Sequence, residues 1–239
     1  PYTTLFRSGK TTIAWMIREL ISRFNPCGYI GTMGYTYDGQ MKNSKMNLTT
    51  PKPDELFRIG KEMLDHQCET LVLEASSEGL YTHRLDQVHF STAVFNNLTG
   101  DHFDIHGDME SYFKAKCLLF DRLDENGKAI LNIDDAYGRR LLGYSKGQDI
   151  TYAIDNDADY KADHVRIYSD HSEFDLIYKD KKYPVYTKLL ARFNIYNLLA
   201  TIAVLKENGY PIESFLEEIK NIDTTPGRCQ LVNAGQDFN

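Results

Sequence analysis

The chain has 239 residues, 42% hydrophobic and rich in aromatics, with 16 Tyr and 12 Phe, which allows a large core and argues against disorder. A net charge of −7 argues against a sequence-independent nucleic-acid binder, and no apolar run reaches the roughly 20 residues that cross a bilayer, so neither partner is expected. Four scattered cysteines (Cys27, Cys68, Cys117, Cys229) form no CxxC pair, which points to reduced thiols in a cytoplasmic protein.

In chain order, residues 10–24 carry Ile13, Met16, Ile17, Leu20, Ile21 and Phe24 at helical spacing. Residues 53–67 open with Pro53 and Asp54 and place Leu56, Ile59, Met63 and Leu64 on one face, a second helix. The runs TLVLEA (70–75) and TAVFNNL (92–98) have the form of buried parallel strands. A helix over 109–123, a strand over 129–133 and a short helix over 135–144 follow. Four short strands are expected next, at 150–154, 164–168, 174–178 and 183–188, as an antiparallel subsheet. Helices at 193–208, stopped by Gly209 and Pro211, and at 212–222 complete the pattern. The expected fold is α/β: a P-loop-type, mostly parallel sheet flanked by helices, with a small antiparallel subsheet around 149–190.

Gly9, Lys10, Thr11 and Thr12 lead directly into the first helix. Phosphate binding at such a point needs a glycine where backbone N–H groups come close, a lysine for the β- and γ-phosphates, and a hydroxyl for Mg²⁺. A solvated lysine at a helix start fits the same four residues. The full pattern also wants an apolar strand and an earlier glycine, and residues 1–8 (PYTTLFRS) provide neither. That octapeptide matches the conceptual translation of a common sequencing adapter. It is expected to be non-native, with the first strand and half of the loop lost.

Nine short motifs then occur in a fixed order: GKTT at 9–12, TTP at 49–51, EASSEGL at 74–80, NLTGDHFDIHG at 97–107, AK at 115–116, NIDD at 132–135, FNIYN at 193–197, PGR at 226–228 and GQDF at 235–238. In these the chain resembles the Mur ligase family, and within it the MurE type, which adds the third amino acid to a UDP-N-acetylmuramoyl dipeptide. The resemblance implies a central ATP-binding domain at 9–233, with 234–239 opening a further domain. It implies ATP and Mg²⁺ as cofactors, a UDP-N-acetylmuramoyl dipeptide and an amino acid (meso-diaminopimelate or L-lysine) as partners, and a monomer. The isolated chain is expected to be inactive.

Residue by residue, the resemblance makes Gly9, Lys10, Thr11, Thr12, Asn194 and Arg228 ATP-binding. Lys10, Lys116 and His102 become catalytic, and Thr11, Glu74, His102 and Lys116 metal-binding. Glu74 closes an expected buried strand, where ligand crevices form in open α/β sheets; a salt-bridged or capping Glu is the alternative. His102 stands among Asp101, Asp104 and His106. Lys116 falls on the apolar stripe of its helix with Tyr112 and Phe113, whereas Lys114 falls off it. An inward lysine must be paired, altered or able to snorkel, and the family implies carbamylation. Thr49, Thr50, Ser76 and Arg84 match contacts to the muramoyl substrate. In departure from the family, Ala191 stands where a Gly often precedes the Phe-Asn pair, and Glu78 replaces a His. Related ligases of the folylpolyglutamate or cyanophycin type, or a non-catalytic nucleotide-binding module, are the competing readings.

Overall fold

In a computed structural model, residues 9–99 and 106–222 are described. The expectations for residues 1–8, His102, Arg228 and 234–239 therefore lie outside the described residues.

The first helix, α1 (Lys10–Ile21), buries Ile13, Met16, Ile17, Leu20 and Ile21 as its spacing dictates. It leads to β1 (Cys27–Gly31) and the short β2 (Gly34–Thr36). Helix α2 (Pro53–Asp65) begins on Pro53, whose fixed φ suits the first turn, and has Asp54 and Glu55 in that turn. Then come β3 (Thr70–Leu73), α3 (Ser77–Tyr81), β4 (Phe90–Phe95) and α4 (Met109–Phe120). Strand β5 (Leu123–Asn132) and α5 (Ala136–Arg140) precede the strand-rich part: β6 (Gln148–Ala153), β7 (Tyr160–Ile167), β8 (Ser172–Tyr178) and β9 (Lys181–Thr187). Helices α6 (Arg192–Glu207) and α7 (Ile212–Ile219) follow.

The strands form two sheets, ordered β2-β1-β3 and β4-β5-β6-β7-β8-β9. Strands β1 and β3 are parallel, as are β4, β5, β6 and β7, while β7-β8-β9 is an antiparallel meander. The expected class therefore holds, with one shift. The first strand of the expected subsheet, β6, is parallel to both neighbours, and antiparallel pairing starts only between β7 and β8. A residue run of strand character carries no direction; the connection before it sets that, and α5 supplies the crossover.

Helix α6 is buried along most of its length, with Leu198, Leu199, Ile202, Ala203 and Leu205 fully inside. It shares a core with α1, α7 and residues of β6–β9. A second core packs α4 against β4 and β5 through Tyr112, Phe113, Cys117 and Phe120. Helix α1 and helix α4 thus pack on separate cores, and the ends of β3 and β4 carry what lies between them.

Candidate active site

The site is built where α1 starts. Gly9 has φ +69°, and a Cβ there would come within 2.1 Å of Asn197 Oδ1 and 2.6 Å of Asn96 Nδ2, so glycine is required on both counts. No acidic residue occupies the first turn of α1, and no side chain caps it. Its leading N–H groups and the positive end of its dipole suit an anion.

Glu74 follows the end of β3 and is 2% exposed. Its Oε1 accepts from the Tyr29 hydroxyl at 2.5 Å and from Thr32 N–H at 3.1 Å. Its Oε2 accepts from Thr11 Oγ1 at 2.9 Å and Thr32 Oγ1 at 3.1 Å. A buried carboxyl without such donors would cost several kcal/mol on the order of a lost charge-assisted hydrogen bond or more, so the four donors are what make the position tolerable. Gly31 leaves the space: a Cβ there would sit 2.2 Å from Glu74 Oε1.

Thr32 Oγ1 also lies 3.2 Å from Thr49 Oγ1, which ties the 49–51 loop to the same carboxylate. Thr50 ties the same loop to the backbone that follows β3. Its hydroxyl donates to Glu74 O at 2.8 Å, accepts from Ser76 N–H at 2.9 Å, and lies 3.0 Å from Ser76 Oγ. Thr50 is 0% exposed, and its hydroxyl is engaged within the fold. Ser76 caps α3 by accepting from Gly79 N–H at 3.0 Å. Arg84 donates to Thr50 O at 3.1 Å and to Glu78 Oε1 at 2.5 Å, so the Glu that departs from the family pattern sits on the guanidinium.

Asn194 lies in the first turn of α6, past the capping position, so it does not cap the helix. Its amide donates to Leu190 O at 2.7 Å, and its Oδ1 accepts from Asn197 at 3.1 Å. Asn197 Oδ1 accepts from Asn96 at 3.0 Å, and Asn96 Oδ1 from the Tyr152 hydroxyl at 2.8 Å. Burial holds the Tyr152 phenol well above its usual range, so it stays a donor. This buried amide chain fixes the floor on which Gly9 rests.

Lys10, Glu74 and Lys116 line one cavity of about 400 Å³. Lys116 is half-buried, with Nζ 5.1 Å from the Tyr112 ring centroid, while Lys114 is exposed. His106 is buried, stacked on Tyr112 at 5.0 Å and edge-on to Tyr81 at 5.8 Å. Among the described residues no three His, Cys, Asp or Glu side chains gather as a metal cage. Thr11, Thr32 and Glu74 nevertheless provide hard oxygen donors, and Mg²⁺ bound with a phosphate substrate needs only one or two carboxylates. The donor set fits that ion. Tyr29, Thr32 and Asn96 were not singled out from sequence. The glycines of β1 conceal that strand, and Asn96 reads as one more residue of a strand run.

A positive-φ glycine entering a helix that carries Lys and Thr, opposite a buried carboxylate beyond a parallel strand, defines a phosphate-binding α/β domain. The chain belongs to the Mur ligase family: the Mur ligase middle domain matches residues 8–205. It is similar to the UDP-N-acetylmuramoyl-L-alanyl-D-glutamate–2,6-diaminopimelate ligases of Clostridium botulinum (34% identical over 94% of the chain and 46% of the relative) and Fusobacterium nucleatum (36%, 97% and 47%). Among solved structures, a ligase of the same description superposes with a TM-score of 0.86 at 28% identity, covering 95% of this chain and 47% of that one. The MurF ligase of Thermotoga maritima in complex with ADP shares the fold, with a TM-score of 0.74 at 19% identity. The chain thus spans about half the length of these relatives, 46–47%.

Proposed function

We propose that this domain is the ATP-binding part of a ligase that joins diaminopimelate to UDP-N-acetylmuramoyl-L-alanyl-D-glutamate through an acyl phosphate. The observation that carries the reading is the hydrogen bond from Thr11 to Glu74, which puts a phosphate-loop hydroxyl and a buried carboxylate on one spot at the start of α1. The names of the relatives support diaminopimelate over lysine as the incoming amino acid.

On this reading Gly9 lets the backbone approach the phosphates, and Lys10 neutralises the γ-phosphoryl group as the dipeptide carboxylate attacks it. Thr11 and Glu74 would hold Mg²⁺, which when bound draws charge from the phosphate oxygens. Lys116, lining the same cavity, would deprotonate and add CO₂ at Nζ, releasing a proton and turning an ammonium into a carboxylate-like ligand. His102 and Arg228 join the metal and nucleotide contacts, and Asn194 faces the nucleotide. Thr49, Thr50, Ser76 and Arg84 would meet the muramoyl dipeptide, and the hydroxyls of Thr50 and Ser76 also hold their loop.

The test is isotopic. A protein carrying this domain over the full length of its relatives is given dipeptide substrate labelled with ¹⁸O in the terminal carboxylate, plus ATP and diaminopimelate. One ¹⁸O in each released phosphate is expected. Unlabelled phosphate would overturn the acyl phosphate, and ATP hydrolysis indifferent to the dipeptide would point to a plain nucleotide-binding module.

A further inference from the structure

The chain that ends α3 turns Arg84 back onto the helix. His83 is left-handed, with φ 61°, and donates its N–H to Leu80 O, while Arg84 N–H reaches Gly79 O at 2.9 Å. These two bonds close the last turn as a Schellman motif. The Arg84 side chain is left only 13% exposed. Its Nη1 donates to Thr50 O, which holds the guanidinium beside the 49–51 loop.

A second donor, Nη2, is taken by Glu78 Oε1 at 2.5 Å. That carboxylate is a replaceable occupant. It touches the guanidinium through one oxygen, where an arginine can fork onto both oxygens of a carboxylate. Among the described residues Arg84 is its one ion-pair partner, and its side chain is 44% exposed. An ion pair so open to water is weakly held. The backbone of Glu78 is fixed in the first turn of α3, so only the side chain has to swing away. A guanidinium carries five N–H donors, and Thr50 O and Glu78 use one each. The fork therefore keeps donors for an incoming carboxylate.

We propose that Glu78 is a specificity-determining residue: it holds on Arg84 the place of a ligand carboxylate, and the ligand must displace it to bind. The inference rests on the reading of Arg84 as a contact of the muramoyl dipeptide, and it names what competes there. Glu78 stands where the family more often carries a His, so the competitor is a feature of this chain. Once displaced, its carboxylate stays within a side chain's length of the bound carboxylate and opposes it, as like charges do. Glu78 does not line the cavity shared by Lys10, Glu74 and Lys116. Its charge therefore weakens binding and leaves the phosphoryl step alone, a KM effect without a kcat effect.

Two measurements test this. In the full chain, N-acetyl-D-glutamate serves as a carboxylate probe free of the nucleotide-sugar, and the ¹⁵N side-chain resonances of Arg84 follow its binding. Glu78→Gln and Glu78→Ala should each bind the probe about fivefold more tightly than the parent, the upper range for loss of an exposed ion pair. Adding Arg84→Lys to Glu78→Gln should remove that gain, since an ammonium has no fork. In a ligase carrying this domain, Glu78→Gln should lower the KM for the dipeptide by about fivefold and keep kcat within about twofold. Equal, weaker or absent probe binding in both Glu78 variants would overturn the proposal, as would a gain that survives Arg84→Lys. So would an unchanged KM in a ligase that still needs the dipeptide. Tighter probe binding beside a parent that ligates no dipeptide would support the competition at Arg84 and sink the dipeptide reading instead.

Discussion

Thr11 Oγ1 stands 2.9 Å from Glu74 Oε2, a contact between residues 63 positions apart that fastens the first turn of α1 to the end of β3. Thr11→Val keeps the shape and removes one of the four donors on a buried carboxylate. A loss of about 1–3 kcal/mol in stability is expected, the usual cost of leaving a buried acceptor short. Urea denaturation measures it, and an unchanged midpoint would show that the contact contributes nothing in solution.

The two neighbouring lysines of α4 separate a site role from a surface role. Lys116 borders the cavity and Lys114 is exposed. In a ligase carrying this domain, Lys116→Ala should lower kcat by at least about a thousandfold, in line with the loss of a group that organises charge at the phosphates. Added bicarbonate should not restore it, while Lys114→Ala should stay within about twofold of the parent. Steady-state kinetics on both variants, with full activity in the first, would remove the carbamate role.

Ala191 holds φ 72° and ψ 147° at the entry to α6, a region occupied almost entirely by glycine. Strain of about 1–3 kcal/mol is expected there. Ala191→Gly should therefore stabilise the chain by about 1 kcal/mol and raise Tm by roughly 2–4 °C for a domain of this size. A lower Tm would mean that the glycine's extra freedom in the unfolded chain outweighs the relief.

Asp134 is a fastening point of a different kind. Its carboxylate accepts from the N–H groups of Ile154, Asp155 and Asn156 at 2.7, 2.9 and 3.0 Å, from Asn156 Nδ2 at 2.7 Å and from the Tyr196 hydroxyl at 2.8 Å. Partial burial works to raise its pKa, but these donors outweigh burial and hold it below the ordinary Asp value. A depressed carboxyl contributes stability that is fully present above the unfolded value of about 3.9 and is lost as pH falls through the lower folded value. Asp134→Asn should thus cost stability at pH 7, and the gap to the parent should close below about pH 3. Parallel thermal melts from pH 7 to pH 3 check this, and a gap independent of pH would contradict it.

Most of the frame is legible from residue patterns. The stripe Ile13, Met16, Ile17, Leu20, Ile21 specifies α1, and TLVLEA and TAVF specify two strands, although the burial expected of them is not found: no residue of β3 is buried and β4 buries only Ala93 and Phe95. Strand β1 is hidden because Gly28 and Gly31 interrupt its pattern. Gly28 is there for Met63, whose Sδ would lie 2.5 Å from a Cβ, and Gly31 for Glu74, so tertiary contacts decide those positions and no local rule registers them. Glu74 and Lys116 could be picked out because each is a charge on an apolar element. The donors that make Glu74 tolerable could not, since Tyr29 and Thr32 sit more than 40 residues away and meet it only across the sheet. Thr50 shows a further limit: its motif gives no sign that its hydroxyl also holds the backbone of Glu74 and Ser76.

The central claim is that the start of α1 and the carboxylate of Glu74 form one Mg²⁺-nucleotide site. Calorimetric titration of ADP into the full chain, with and without Mg²⁺, tests it most directly. Mg²⁺ should tighten binding by tenfold or more, and Thr11→Val and Glu74→Gln should each erase that gain while leaving the metal-free affinity within about threefold, a change of well under 1.4 kcal/mol. Binding that ignores Mg²⁺, or a gain that survives Glu74→Gln, would contradict the account.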